Sequence, residues 1–202
     1  MASRHTDRGF DRLVNFSDAV MAVAITLLIL PLTELAGEVK ASESAWTWLG
    51  ANQEVWTAFL ISFIVLSNYW LVHHRMFEAI GDYDNVLAWI NFGWLLSIIT
   101  LPFTTELVTN HGFGQGSGMV YMINLAAIGG FLALIGWWVS AHPSLQAPDF
   151  DPNTQRIRKS VVYVAYFLGV GVLSLFAPSI ASWVLLGMIP LGYLLSRGDT
   201  DD

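Results

Sequence analysis

Cysteine is absent from the chain. No disulfide and no thiolate metal site can form, though its absence says nothing about compartment. Charge is scarce as well. Asp, Glu, Lys and Arg make up 12% of the residues, where a soluble domain carries about 25%. What charge there is leans acidic, to a net −7. Nucleic acid needs clustered basic residues and is therefore excluded as a partner. The five histidines, His5, His73, His74, His111 and His142, lack the spacing of a zinc helix, which argues against a membrane-embedded metal hydrolase. Nothing in the sequence calls for a cofactor or an enzymatic activity.

What fills the space is apolar. Hydrophobic residues account for 54% of a chain of 202, nine of them tryptophan. A chain this short cannot hide so much apolar surface inside a water-facing globule. Lipid can take it, and tryptophan favours the membrane–water boundary. A bilayer core needs about 20 apolar residues per helix. Six stretches predict such helices, at 14–33, 55–77, 86–108, 118–140, 161–177 and 180–196. Ala177-Pro178-Ser179 divides the last two, because proline breaks a helix. The fold class is thus an all-α integral membrane protein, with residues 1–202 forming one six-helix domain. The first stretch is too long for a signal-peptide core and carries Asp18, so it is read as a retained helix.

Lysine and arginine set the orientation, because they stay on the cytoplasmic side. Arg4, Arg8 and Arg12 precede helix one, Arg75 ends helix two, Arg156, Arg158 and Lys159 precede helix five, and Arg197 follows helix six. With both termini cytoplasmic, all of these lie inside and only Lys40 lies outside. The outer connections carry Glu34, Glu38, Glu43, Glu54 and Glu106. The expected location is the cell membrane, as a multi-pass protein.

Helix one holds the most informative pattern. Phe16, Val20, Val23, Leu27 and Leu30 recur at spacings of 4, 3, 4 and 3, one stripe at heptad-like spacing. Ala19, Ala22 and Ala24 are expected on other faces, where small residues permit close packing. Read alone, the stripe fits helix–helix packing as well as anything sharper. Asp18 is costly inside a membrane helix and should face water or a partner. Ser17 adjoins it, and Arg12, His73, His74 and Arg75 lie at the same membrane face. Either a polar network that orients helices or an ion- or proton-handling site accounts for it.

Arg12 followed by Phe16-Ser17-Asp18 and an Ala/Val/Ile/Thr/Leu run resembles the signature of the transmembrane protein 175 family of endosomal and lysosomal potassium channels. Ile29-Leu30-Pro31-Leu32-Thr33, His74-Arg75-Met76-Phe77, Asp84-Asn85 and Leu101-Pro102-Phe103-Thr104 are similar to later family segments. The resemblance covers residues 10–110; beyond them only hydropathy matches. It implies the prokaryotic type, with one six-helix repeat per chain, four copies in a homotetramer, and helix one lining a central pore. The usual potassium filter run Thr-Val-Gly-Tyr-Gly is missing here, as in the family. The resemblance places a hydrophobic constriction at Val23, Leu27 and Leu30, with Phe16, Val20 and Thr26 as further pore lining. Relatives often have isoleucine at the position of Val23, so this ring is expected to be slightly wider. Thr26 either faces the pore or bonds back to its own helix. Glu34 is expected at the outer vestibule, where a ring of carboxylates concentrates cations.

The resulting expectation is a channel for potassium and other monovalent cations, embedded in the lipid bilayer. The alternative is a proton-coupled secondary cation transporter that uses Asp18 and the helix-two histidines as a relay.

Overall fold

The computed structural model describes residues 7–37, 39, 44–148, 150, 154–185 and 187. Its eight α-helices run α1 (Asp7–Leu27), α2 (Leu30–Ala36), α3 (Ala45–Ala51), α4 (Gln53–Glu78), α5 (Asn85–His111), α6 (Ser117–Ala141), α7 (Thr154–Phe176) and α8 (Pro178–Leu185). Among the described residues, four segments are long and apolar enough to cross a membrane: Arg8–Ala36, α4, α5 and α6. The fifth predicted stretch forms α7, whose apolar part, Ser160–Phe176, is shorter. Of the sixth predicted stretch, residues 186 and 188–196 lie outside the described residues, as do Arg4, Lys40 and Arg197.

Proline explains the breaks. Pro31 has no N–H to give to the carbonyl of Leu27, and its ring crowds that carbonyl. The first span accordingly breaks at Leu28 and Ile29, whose N–H groups take tighter bonds to Ile25 and Thr26, and α2 resumes the same run at Leu30. Pro178 separates α7 from α8 in the predicted way, with a single residue, Ala177, between them. Pro102 sits inside α5 without ending it. Asn124 of α6 braces that stretch: its amide donates to the Ser97 carbonyl at 2.9 Å and Thr100 Oγ1 at 2.8 Å, and accepts from Thr104 Oγ1 at 3.1 Å.

The helix α3 was not expected between the first two spans. Ser44 caps its start by accepting from the Trp46 N–H at 3.3 Å, and Trp56 at the head of α4 donates its indole N–H to the Leu49 carbonyl at 3.0 Å. The helix is thereby folded against α4, with Trp46 almost fully exposed, as suits a membrane-interface residue.

The core centres on α6, which packs most extensively on α7 and α5. Met122, Leu125, Ile128, Leu132 and Ile135 line its buried side. Glycine permits the closest approaches: a Cβ on Gly93 of α5 would lie 2.5 Å from the Phe131 ring of α6, and one on Gly171 of α7 would lie 2.8 Å from Met119 Sδ. Contacts that close drive helix association where lipid offers no hydrophobic incentive. At the other end, Asp84 caps α5 through the Leu87 N–H at 2.7 Å and accepts from the Trp138 indole at 3.2 Å. The connections around residues 80 and 146 are tied by backbone bonds from Gly81 to Leu145 and from Ala147 to Ala79.

Helix α1 is different. It packs on α5 and α4 along one side and leaves the other side uncovered.

Candidate pore-lining face and its polar anchor

The two sides of α1 follow from its sequence. Leu13, Ser17, Met21, Ala24 and Leu28, at spacings of 4, 4, 3 and 4, are buried against the bundle. Arg12, Asn15, Phe16, Ala19, Ala22, Val23, Thr26, Leu27 and Leu30 are exposed. Apolar residues usually face the core, so an uncovered apolar stripe of this length is a surface meant for something other than water. Phe16 and Val23 are more than half exposed, at 52% and 57%. Val20 is half-buried and packs against the core from the edge of the stripe. Ala19 and Ala22 do not lie on separate packing faces as expected. They share the exposed side, and only Ala24 is buried.

Thr26 is exposed, and its hydroxyl donates to the Val23 carbonyl at 2.8 Å. The back-bond spends the hydroxyl proton and leaves the oxygen lone pairs free to point outward. Thr33 repeats the arrangement on the Leu30 carbonyl at 2.8 Å. Glu34 is exposed on α2, at the far end of the same run.

Behind the stripe, polar groups fasten α1 to the bundle. The buried Ser17 hydroxyl donates to the Leu13 carbonyl at 2.9 Å. Its proton is therefore committed, and it accepts from Asn91 Nδ2 of α5 at 2.8 Å. That orients the amide, whose Oδ1 faces His73 Nε2 of α4 at 2.9 Å. An amide oxygen only accepts, so Nε2 must carry the proton. The His73 ring is held between Trp94, stacked at 3.9 Å, and Phe77, stacked at 4.2 Å. Three helices thus meet in one chain of hydrogen bonds, Leu13–Ser17–Asn91–His73, while the indole N–H of Trp94, stacked on His73, is buried without a partner among the described residues.

Asp18 makes a separate tie. Its Oδ1 accepts the Trp70 indole N–H at 2.9 Å, and the Trp70 ring stacks on His74 at 5.2 Å. His74 in turn lies 3.4 Å from Glu78 on its own helix. Of the residues expected to form one network, Ser17 and His73 are joined, through Asn91, and Asp18 is tied elsewhere. His74 touches the group only through a ring face. Arg12 and Arg75 are exposed and take no part in these bonds. The expected Asp18–Arg or Asp18–His contact is replaced by an indole, because Trp70 stands one turn before His74 and presents its N–H where the carboxylate arrives. Trp70 and Asn91 were missed from sequence. A lone amide inside an apolar helix was the available signal for Asn91.

The family model described as endosomal/lysosomal potassium channel TMEM175 matches residues 12–102, from Arg12 to Pro102. A human protein named endosomal/lysosomal proton channel TMEM175 is 30% identical over 189 residues, covering 91% of this chain and 36% of the human protein. The chain therefore spans little more than a third of the length of that relative. A Streptomyces collinus protein named a potassium channel is 29% identical over 179 residues, covering 83% of this chain and 84% of the relative. The fold is shared with the crystal structure of a lysosomal potassium-selective channel TMEM175 homolog from Chamaesiphon minutus, at a TM-score of 0.69 and 21% identity over 92% of this chain and 96% of that one. With the Phe16-Ser17-Asp18 signature, its polar anchor and these relatives in hand, the chain belongs to the TMEM175 family.

Proposed function

We propose that this chain is one subunit of a potassium-permeable cation channel, in which four copies gather their α1 helices around a central pore. The observation that carries the reading is the uncovered apolar side of α1, set against an opposite side fastened by the Ser17–Asn91–His73 and Asp18–Trp70 bonds. A helix that only packed, or only met lipid, would not need so firm a polar anchor behind it. Support comes from relatives of similar length that are named potassium channels.

In this reading the six predicted spans cross the cell membrane with both termini cytoplasmic, and each exposed residue of α1 becomes a ring of four. Val23, Leu27 and Leu30 form the narrow apolar part. Apolar rings of that kind close a pore by dewetting, without a plug. Thr26 offers outward lone pairs between them, which replace part of an ion's hydration shell. Phe16 lines the cytoplasmic end with Val20 at its margin, and Glu34 lines the outer mouth, where four carboxylates raise the local cation concentration. Catalysis has no part in this mechanism.

A proton relay through Asp18 and His73 is not favoured. The two residues are bonded to different partners, and no bond joins one pair to the other among the described residues. Purified protein in liposomes tests the choice. A channel passes potassium down its gradient with no proton gradient imposed, at rates that do not saturate. Flux that requires a proton gradient overturns the channel reading.

A further inference from the structure

A cavity of about 810 Å³ lies at the end of the bundle opposite the Asp18 tie. Its walls come from the start of α4, the end of α5 and the first turns of α8, with Tyr121 of α6 at its base. Cavities of about 300–1,000 Å³ suit small organic ligands. It shares no residue with the exposed side of α1, so pore formation does not account for it.

The base carries three hydroxyls. Ser62 Oγ lies 3.0 Å from Thr105 Oγ1 and 3.4 Å from Tyr121 Oη. All three side chains are more than nine-tenths buried. Each hydroxyl brings one proton. The two contacts within the trio use two protons, so one O–H remains to be offered to an acceptor. A spare donor among buried side chains at a cavity wall is a place for a hydrogen-bonding head group. The upper walls are apolar and aromatic, with Trp56, Ile61, Val108, Phe113 and Trp183. They suit a hydrocarbon body.

Charge narrows the class. Among the described lining residues Glu54 is the one that carries a charge, and no lysine or arginine joins it there. An anionic head group would enter past a carboxylate and find no cation to meet it. We propose that this cavity binds an uncharged amphiphile, whose hydrogen-bonding head reaches the Ser62–Thr105–Tyr121 hydroxyls while its apolar body lies against the aromatic walls. Such a ligand wedges α4 from α8. Because α4 also carries Trp70 and His73, occupancy bears on the helix that holds α1 in place.

The test is binding, so its outcome does not depend on the channel reading. Octanol bearing a diazirine on its chain is photoactivated with the purified full-length protein in lipid nanodiscs, and labelled residues are mapped by mass spectrometry. Label is expected on the segments 53–62, 105–114 and 178–185, and excess plain octanol should remove it. The matching diazirine octanoate, an anion, should label these segments about tenfold less. Ala58→Phe and Ser182→Phe fill the cavity from opposite walls, and each should cut the octanol label by about tenfold. Thr105→Val keeps the shape and removes one of the three hydroxyls; it should weaken labelling, and because Ser62 loses its nearest partner the melting temperature should fall modestly as well. Two fillers guard against one failing to fold. Plain octanol and a native lipid extract, used as separate competitors, distinguish a free small molecule from a bilayer lipid as the source. Label spread over Phe63, Leu96 and Ile99 without competition would mean bulk partition and overturn the proposal. So would equal labelling by octanoate, or label that survives both fillers.

Discussion

Trp70 donates its indole N–H to Asp18 across 2.9 Å, so the carboxylate of the family signature is held by a neutral ring and not by a counter-ion. The difference sets the energy. Breaking a buried ion pair strands a charge and costs about 3–5 kcal/mol. Losing a hydrogen bond to a charged group costs about 1.5–3 kcal/mol, and Asp18 is only partly buried. Trp70→Phe keeps an aromatic ring against His74 and removes the donor. It is expected to lower stability by about 2 kcal/mol, read as a fall in melting temperature by intrinsic fluorescence. Asp18→Asn retains an acceptor and should cost less. A Trp70→Phe protein as stable as the parent would show that the bond contributes nothing.

Asn91 supplies the second prediction, because it serves two partners at once. Asn91→Leu removes a donor from Ser17 and an acceptor from His73. Each buried group left unpaired costs about 1–3 kcal/mol. The double-mutant cycle of Ser17→Ala with Asn91→Leu isolates their contact. Removing Ser17 in the Asn91→Leu background should cost about 1 kcal/mol less than removing it from the parent. Additive losses would mean that the two residues stabilise the fold independently.

The breadth of what was legible beforehand follows the physics of each signal. Hydropathy located the long helices, because a run such as that of α6 has no second way to satisfy its backbone in lipid. Pro178 marked its break, because a missing N–H acts locally, whereas the break at Leu28 and Ile29 falls inside the stretch 14–33 that hydropathy gave as one helix. The stripe on α1 was readable from its spacing, yet only the fold separated its margin, where Val20 lies, from its exposed centre. Partners of Asp18 and Ser17 were not readable. They lie 52 and 74 positions away in the chain, and several polar residues at one membrane face compete equally in a linear text. Charge complementarity favoured Arg12 and the histidines, whereas geometry selected an indole and an amide. The helix α3 was hidden because seven residues are too short to declare a periodicity.

Orientation gives the third prediction. The chain has no cysteine, so single cysteines can be introduced without background. Ser44 and Ser144 are both exposed and lie in connections at opposite ends of the bundle. With both termini cytoplasmic, Ser44→Cys should react with an impermeant thiol reagent applied to intact cells, and Ser144→Cys only after permeabilisation. Reaction of Ser144→Cys in intact cells, with Ser44→Cys protected, would reverse the topology.

The fourth prediction concerns the exposed side of α1 directly. If four copies meet along it, Val23 and Leu27 face one another across the axis, whereas Leu28, only 3% exposed, is packed inside its own subunit. The same chemical change must then have opposite consequences at neighbouring positions. Asparagine in an apolar ring gives water a hydrogen-bonding foothold and wets the constriction. Val23→Asn and Leu27→Asn should therefore raise the basal cation current in planar bilayers and reduce the preference for potassium over sodium. Their stability should change little, because both side chains are exposed on their own subunit and leave its core packing unchanged. Leu28→Asn instead buries an amide without a partner and opens a gap. Its expected cost is about 2–5 kcal/mol, seen as poor expression or a lowered melting temperature. Val23 should be the more permissive of the two ring positions, since valine already leaves a wider opening than the leucine above it. Recordings in which Val23→Asn and Leu27→Asn match the parent while Leu28→Asn alters conductance would place a different side of α1 on the axis.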